Sequence, residues 1–266
     1  MNKLFPFVSV LFSCSMFEYN PNDFELDEHE KNLTAKNLAR IEGQPAGDSV
    51  LMIFAGDTQR YYEDTRDFVN AVNKSRHADF VMISGDISDF GLPIEFKWMN
   101  EIYSSLRFPY LTAIGNHDLL ANGRYVYDEM FGETDYSFIY GRYKFVVCNT
   151  NGREYGFNGS VPDLVFLENE FLQSDSDKYK VLICHVAPGN IDFEPALNED
   201  VGQIINQTDN FLGGFHGHNH GFHVRYPFGE DMPFISSSST SQRNFLEVLF
   251  YHSDGRDTFN VRQIYY

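Results

Sequence analysis

The chain has 266 residues, 42% of them hydrophobic and 22% charged, which suits a globular core and excludes wholesale disorder. Its 38 acidic against 20 basic side chains leave a formal charge of -18, which repels duplex nucleic acid and anionic lipid at long range. Three cysteines cannot build a disulfide framework, and 26 Phe with 16 Tyr supply a dense core without one.

The chain opens with a single positive charge at Lys3, followed by the apolar run Leu4 to Phe12, too short to span a bilayer but suited to a secretory signal. Leu11-Phe12-Ser13-Cys14 resembles a bacterial lipobox, in which a small residue precedes a cysteine that is lipidated and becomes the mature N-terminus. The resemblance implies a signal peptide over 1–13 and an exported lipoprotein of a bacterial cell envelope, periplasmic or at the cell surface, held to the membrane by a lipid on Cys14. A plain cleaved signal or a buried N-terminal strand is the alternative. Residues 14–48 read as an acidic tether and a docking segment, with a helix-capable stretch from Thr34 to Ile41 and a Gly/Pro break from Gly43 to Gly47. Residues 49–266 read as the folded domain. No 20- to 50-residue period recurs, which excludes solenoids and propellers.

Beyond residue 48 strand and helix signals alternate. Val50 to Phe54 is a buried strand ending in Gly56-Asp57, and Arg60 to Arg76 carries helix-spaced Phe68, Val69 and Val72. Phe80 to Ile83 runs into Gly85-Asp86, Ile94 to Leu106 is helical in pattern, and Tyr110 to Ile114 runs into Gly115-Asn116-His117-Asp118. Asp57, Asp86 and Asn116 stand 29 and 30 residues apart, the length of one strand-helix-strand unit. Polar groups that directly follow buried strands gather at the carboxyl edge of an α/β sheet. Later come a strand from Tyr143 to Cys148, a helix from Val161 to Gln173, and strands from Lys180 to Cys184 and Asn210 to Phe215. Phe245 to Tyr251 and Thr258 to Tyr265 flank the turn Ser253-Asp254-Gly255-Arg256, and the second alternates apolar and polar residues. Cys148 and Cys184 sit in apolar runs as buried, inert thiols. Two packed sheets flanked by helices accommodate these elements.

The strand-end groups are Asp57, Gln59, Asp86, Asn116, His185, His218 and His220, with His117 beside them. Carboxylates combined with several imidazoles suit Mn, Fe or Zn better than Ca or Mg, which prefer oxygen alone. Two divalent ions against two aspartates leave a net positive charge, a local attraction for phosphate inside an acidic molecule.

Gly56-Asp57-Thr58-Gln59, Gly85-Asp86-Ile87-Ser88-Asp89, Gly115-Asn116-His117-Asp118, the strand ending in His185, and Gly217-His218-Asn219-His220 resemble the five ordered blocks of the calcineurin-like metallophosphoesterases, over roughly residues 49 to 221. The resemblance implies an α/β fold, a four-layer αββα sandwich of two mixed β-sheets flanked by helices. It implies that Asp86 bridges two divalent metals. Asp57, Gln59 and His220 would complete one site, and Asn116, His185 and His218 the other. His117 would stabilise the transferring phosphoryl group or protonate the leaving oxygen, with Asp118 orienting its ring. The implied activity is hydrolysis of a phosphomonoester or phosphodiester, and the implied partner a small phosphoester substrate rather than duplex nucleic acid. One position departs from the pattern: the first block usually reads Asp-x-His and here ends in Gln59. A Gln oxygen either ligates less strongly than imidazole or hydrogen-bonds a bound water, and either weakens affinity or activity by on the order of 10- to 100-fold. A binding lipoprotein that keeps the fold without the chemistry is therefore the alternative function.

Several residues carry two readings. Asp89 partners the site or caps the helix after Gly91, and the cap is favoured. His216 is expected as a local hydrogen-bonding residue, and His29, His77, His223 and His252 as surface or strand histidines. Arg60 and Arg124 clamp phosphate or are solvated and paired. Ser237 to Ser241 and Arg243 line the cleft or form a flexible surface loop.

Overall fold

The structure, a computed structural model, describes residues 20–266 except 23, 76 and 176. Residues 1–13, read as a signal peptide, and Cys14 lie outside the described residues.

In chain order the elements begin with Leu33–Glu42 (α1), Val50–Ala55 (β1), Tyr62–Lys74 (α2), Phe80–Ile83 (β2), Pro93–Tyr103 (α3), Tyr110–Thr112 (β3) and Gly123–Met130 (α4). Tyr136–Tyr140 (β4), Tyr143–Val147 (β5), Leu164–Glu168 (α5), Tyr179–Ile183 (β6), Asn198–Gln207 (α6) and Phe211–His216 (β7) follow. The chain closes with His223–Arg225 (β8), Phe234–Ser236 (β9), Asn244–Ser253 (β10) and Arg256–Tyr265 (β11).

Local chemistry sets the element ends. Glu63 and Asp64 occupy the first turn of α2 and Lys74 its last, matching the helix dipole. Pro93 stands in the first turn of α3, where its missing N–H costs nothing. The Glu95 carboxylate accepts from Phe90 N at 2.9 Å and Leu92 N at 3.2 Å, so Glu95 caps this helix and the cap expected from Asp89 is not formed. The helix expected from Val161 begins later, because Asp163 is the cap that accepts from Phe166 N, and it continues as a π-helical turn over Asn169–Gln173. The β10–β11 hairpin closes on Asp254-Gly255, whose φ values of 51° and 82° both lie in the left-handed region that a two-residue turn requires.

The strands make two mixed sheets. One is five-stranded in the order β11-β10-β1-β2-β3, with β1, β2 and β3 parallel and β10 antiparallel to its neighbours. The other is six-stranded in the order β4-β5-β6-β7-β9-β8, parallel except for its antiparallel edge strands β4 and β8. Met52, Phe54, Phe80 and Met82 face Phe145, Val181, Ile183 and Phe215 between the sheets. Ile53, Ala55, Val81 and Ile83 face the other way, against α2, α3 and α4, while Val146 and Leu182 face α5 and α6. This is the four-layer αββα sandwich the sequence predicts. Burial on both faces explains why β1 and β2 read as continuous apolar runs rather than alternating ones. Phe80 meets Phe138 and Phe145 edge-on at centroid distances of 5.4 and 5.1 Å, the geometry that aromatic quadrupoles favour.

The stretch read as a docking segment contains α1, which lies along the open edge of β3. Asn37 Oδ1 accepts from Tyr110 N at 3.2 Å while Leu33 and Ile41 are buried. An edge strand so covered cannot pair with another chain.

Candidate metal centre

Every sequence-predicted ligand lies just past the carboxyl end of a strand. β1 delivers Asp57 and Gln59, β2 delivers Asp86, β3 leads to Asn116, β6 to His185, and β7 to His218 and His220. The strand ends approach so closely that side chains are excluded between them. A Cβ on Gly115 would collide with Asp86 N and Oδ1, and one on Gly217 would lie 2.9 Å from Asp57 Oδ2. Asp57, Asp86, His218 and His220 take φ values of 51°, 55°, 68° and 55°, so four non-glycine residues hold the left-handed conformation in one place. Such strain persists only where surrounding contacts over-determine it.

On one side, ligand atoms of Asp57, Asp86 and His220 all lie within 4.8 Å of one another. His220 Nε2 is 3.4 Å from Asp57 Oδ1, and His218 N–H donates to the same carboxylate at 3.1 Å. Gln59 is buried; its Nε2 donates to Asp86 Oδ2 at 3.1 Å and its Oε1 has no hydrogen-bond partner. A buried orphan amide oxygen is a cost unless something electropositive meets it.

On the other side, three lone pairs converge. His185 Nδ1 donates to Ser84 O at 2.6 Å, which leaves Nε2 facing Asn116 Oδ1 at 3.0 Å and Asp86 Oδ1 at 3.4 Å. His218 Nε2 donates to Asp192 Oδ2 at 2.9 Å, which leaves Nδ1 facing the same Asn116 oxygen at 3.0 Å. Acceptors that point at one another repel unless a proton or a cation lies among them. The donor set of carboxylate, amide oxygen and neutral imidazole is that of a borderline divalent ion.

The ionisation of the cluster has the same origin. Burial, with Asp86 adding to it, pushes the Asp57 carboxyl up to about 8, and burial pushes Asp118 up to about 7. Burial also raises Asp86, but His185 and His117 outweigh it and hold this carboxyl below its usual value. Burial opposes charge on His185, yet Asp86 and Asp57 push it up to about 10. Burial and the neighbouring His185 lower His218 and His220. Protons therefore do what a metal ion would otherwise do here.

His117 sits beside this cluster. Its backbone N–H donates to Asp86 Oδ1 at 3.0 Å, and its ring Nδ1–H donates to Asp89 O at 2.8 Å, with Asp89 Oδ1 at 3.6 Å. Asp89, not Asp118, orients the ring. The Asp118 carboxylate turns the other way, accepting from Ile87 N, Ser88 N and Gly115 N at 2.8 to 2.9 Å, and so ties the second and third blocks together. The two residues share a 3-10 turn, His117–Leu119, in which successive side chains diverge by about 120°.

Arg60 pairs with Asp89, so that carboxylate links a half-exposed guanidinium to His117. Arg124 is committed to Asp128 and to Tyr155. Ser237 to Thr240 are buried rather than a surface loop: Ser239 Oγ donates to Asp57 O at 2.8 Å and Ser237 Oγ meets Ser84 Oγ at 3.3 Å. Arg243 points away, to Asp64 and Asp67. His216 is fully buried and bonds Gly217 O locally, and burial lowers it to about 4, which keeps it neutral. Cys148 and Cys184 are buried free thiols, as the apolar runs predict. His29, His223 and His252 carry exposed positions, and His77 lies 3.3 Å from Asp79. Sequence reading missed Asp192 and Arg153, which stand in no recurrent block.

A family model described as calcineurin-like phosphoesterase matches residues 51–222. Among solved structures, a dimetal phosphatase from Danio rerio aligns with TM-score 0.61 at 13% identity, over 84% of this chain and 100% of that one. GAP50, described as the anchor in the inner membrane complex of Plasmodium, aligns with TM-score 0.58 at 11% identity, over 82% and 85% of the two chains. PhoD aligns with TM-score 0.55 at 11% identity, over 83% and 73%. Likeness at these identities concerns the fold. No curated protein sequence matches the chain.

Proposed function

Because the chain belongs to the calcineurin-like phosphoesterase family, we propose that it is a metal-dependent hydrolase of a small phosphomonoester or phosphodiester. The observation that carries this reading is the convergence of His185 Nε2, His218 Nδ1 and Asn116 Oδ1 with no hydrogen-bond donor fixed among them once the histidines are neutral. Asp57, Gln59, Asp86 and His220 would hold one divalent ion, and Asp86, Asn116, His185 and His218 a second, with Asp86 common to both. Mn, Fe or Zn fits these donors, and two such ions supply a nucleophile from water near neutral pH and neutralise phosphoryl charge.

The remaining work falls to this chain's side chains. His117 keeps its Nδ1–H on Asp89 O, so a proton carried on Nε2 is free to pass to the leaving oxygen. Asp89 holds that ring and is itself anchored by Arg60. Asp118 fixes the backbone that presents Asp86 and Asn116 and takes no part in proton transfer. Metal-reconstituted protein should hydrolyse a nitrophenyl phosphomonoester or a bis-nitrophenyl phosphodiester. Two bound metals without turnover of either ester would count against the reading.

One observation favours a second reading. Gln59 offers only an amide oxygen where an imidazole would bind more strongly, so the first cation would bind weakly, and a lipoprotein that binds ligand through the fold without turnover would show one metal or none. Export and lipid attachment at Cys14 complete the proposal, resting on the lipobox resemblance; an unmodified Cys14 peptide in the membrane fraction by mass spectrometry would remove that part.

A further inference from the structure

Asp192 stands outside every recurrent block of the sequence, in the segment that follows β6. Its side chain is 7% exposed and joins two partners: Oδ2 lies 2.9 Å from His218 Nε2, and Oδ1 meets the guanidinium of Arg153, itself 53% exposed. The backbone fixes the carboxylate in place. Arg153 N donates to Asp192 O at 3.1 Å, and Asp192 N donates to Asn190 Oδ1 at 3.0 Å. Asn190 Nδ2 in turn reaches Asn219 Oδ1 at 3.2 Å, between His218 and His220.

We propose that Asp192 is the positioning residue for His218, an inference that rests on the two-cation reading above. A carboxylate only accepts, so His218 Nε2 must carry the hydrogen and the lone pair must lie on Nδ1, facing Asn116. The same bond stops the ring from turning about its side-chain axis. Arg153 supplies a counter-charge to this nearly buried carboxylate. The order Arg153-Asp192-His218 repeats, with residues from other loops, the order Arg60-Asp89-His117 on the other side of the cluster. The Asp192 carboxylate serves a ring that would hold a cation, whereas Asp89 serves, chiefly through its backbone oxygen, a ring that would move a proton.

The test is calorimetric manganese titration of the full chain, with thermal melting, for the wild type, Asp192→Ala, Asp192→Asn and Arg153→Ala. Asp192→Ala should weaken one metal equivalent by about 10- to 100-fold and leave the other unchanged, the usual cost of removing a carboxylate behind a ligating histidine. Asp192→Asn keeps an acceptor oxygen but loses the charge and should weaken the same equivalent by a smaller factor, with Arg153→Ala smaller again. Equal weakening of both equivalents with a lowered melting temperature would make Asp192 merely structural and overturn the proposal, as would unchanged titrations in both Asp192 variants. If Asp192→Ala does not fold, the Asn variant decides alone. A wild type that takes up no manganese would sink the two-cation reading and this inference together, whereas two equivalents bound with the same affinities in wild type and Asp192→Ala would sink only this inference.

Discussion

The two halves of the centre are built to different standards. On the Asn116 side both imidazoles are backed by an acceptor, Ser84 O behind His185 and Asp192 behind His218, and His185 is fully buried. On the Asp57 side Gln59 stands where an imidazole would, its N–H spent on Asp86, and the His220 side chain is 45% exposed. Affinity depends on how firmly each donor is held and how dry its surroundings are. The Asn116 side should therefore bind tightly and the Asp57 side weakly, by on the order of 10- to 100-fold.

The largest effect should come from the one carboxylate the two halves share. Asp86→Asn should release both metals and abolish turnover, measured by metal content and ester hydrolysis; retention of one full equivalent would show that the halves are independent. His117→Ala should lower kcat by about 100- to 10,000-fold, the usual worth of a positioned acid, while both equivalents stay bound. Unchanged kcat would remove His117 from the chemistry. Gln59→His should narrow the difference between the halves, strengthening the weaker equivalent about tenfold in zinc titration; no gain would mean that Gln59 already ligates as well as imidazole.

The smallest effect is on pH. Asp57 rises from its ordinary 3.8 to about 8, and Asp118 to about 7. The metal-free fold thus binds more protons than the unfolded chain in that window, and it loses stability as pH rises through it. Metal ions replace those protons, so the rise in Tm produced by manganese should be larger at about pH 8 than at about pH 6. His185, raised to about 10, acts in the same direction above its ordinary 6.5. An equal or smaller rise at the higher pH would contradict this ordering.

The same contrast separates what could be read in the sequence from what could not. Asp57 and Asp86 were legible because each follows a continuous apolar run, and a run buried on both faces marks a central parallel strand whose carboxyl end faces the ligand edge, while Asn116 follows the parallel edge strand β3 at the same spacing. Asp192 was not, because its partner His218 is 26 residues away and nothing local marks a carboxylate that acts through another loop. Asp118 misled because neighbours in sequence were taken as neighbours in space, whereas the 3-10 turn points them apart. Ser237 to Thr240 could be read either as cleft lining or as a loop because hydroxyl side chains give no apolar period, and hydrogen bonding lets them fill the floor beneath Asp57. α4 and α6 escaped notice as short helices whose buried faces hold only a few apolar residues, such as Val126 and Met130 or Val201, Ile204 and Ile205.

The most direct test is stepwise addition of manganese to metal-stripped protein while nitrophenyl ester hydrolysis is followed. The account predicts that the first equivalent binds tightly with little turnover and that activity rises with the second, weaker one. Full activity with a single equivalent, or none with both bound, would contradict it.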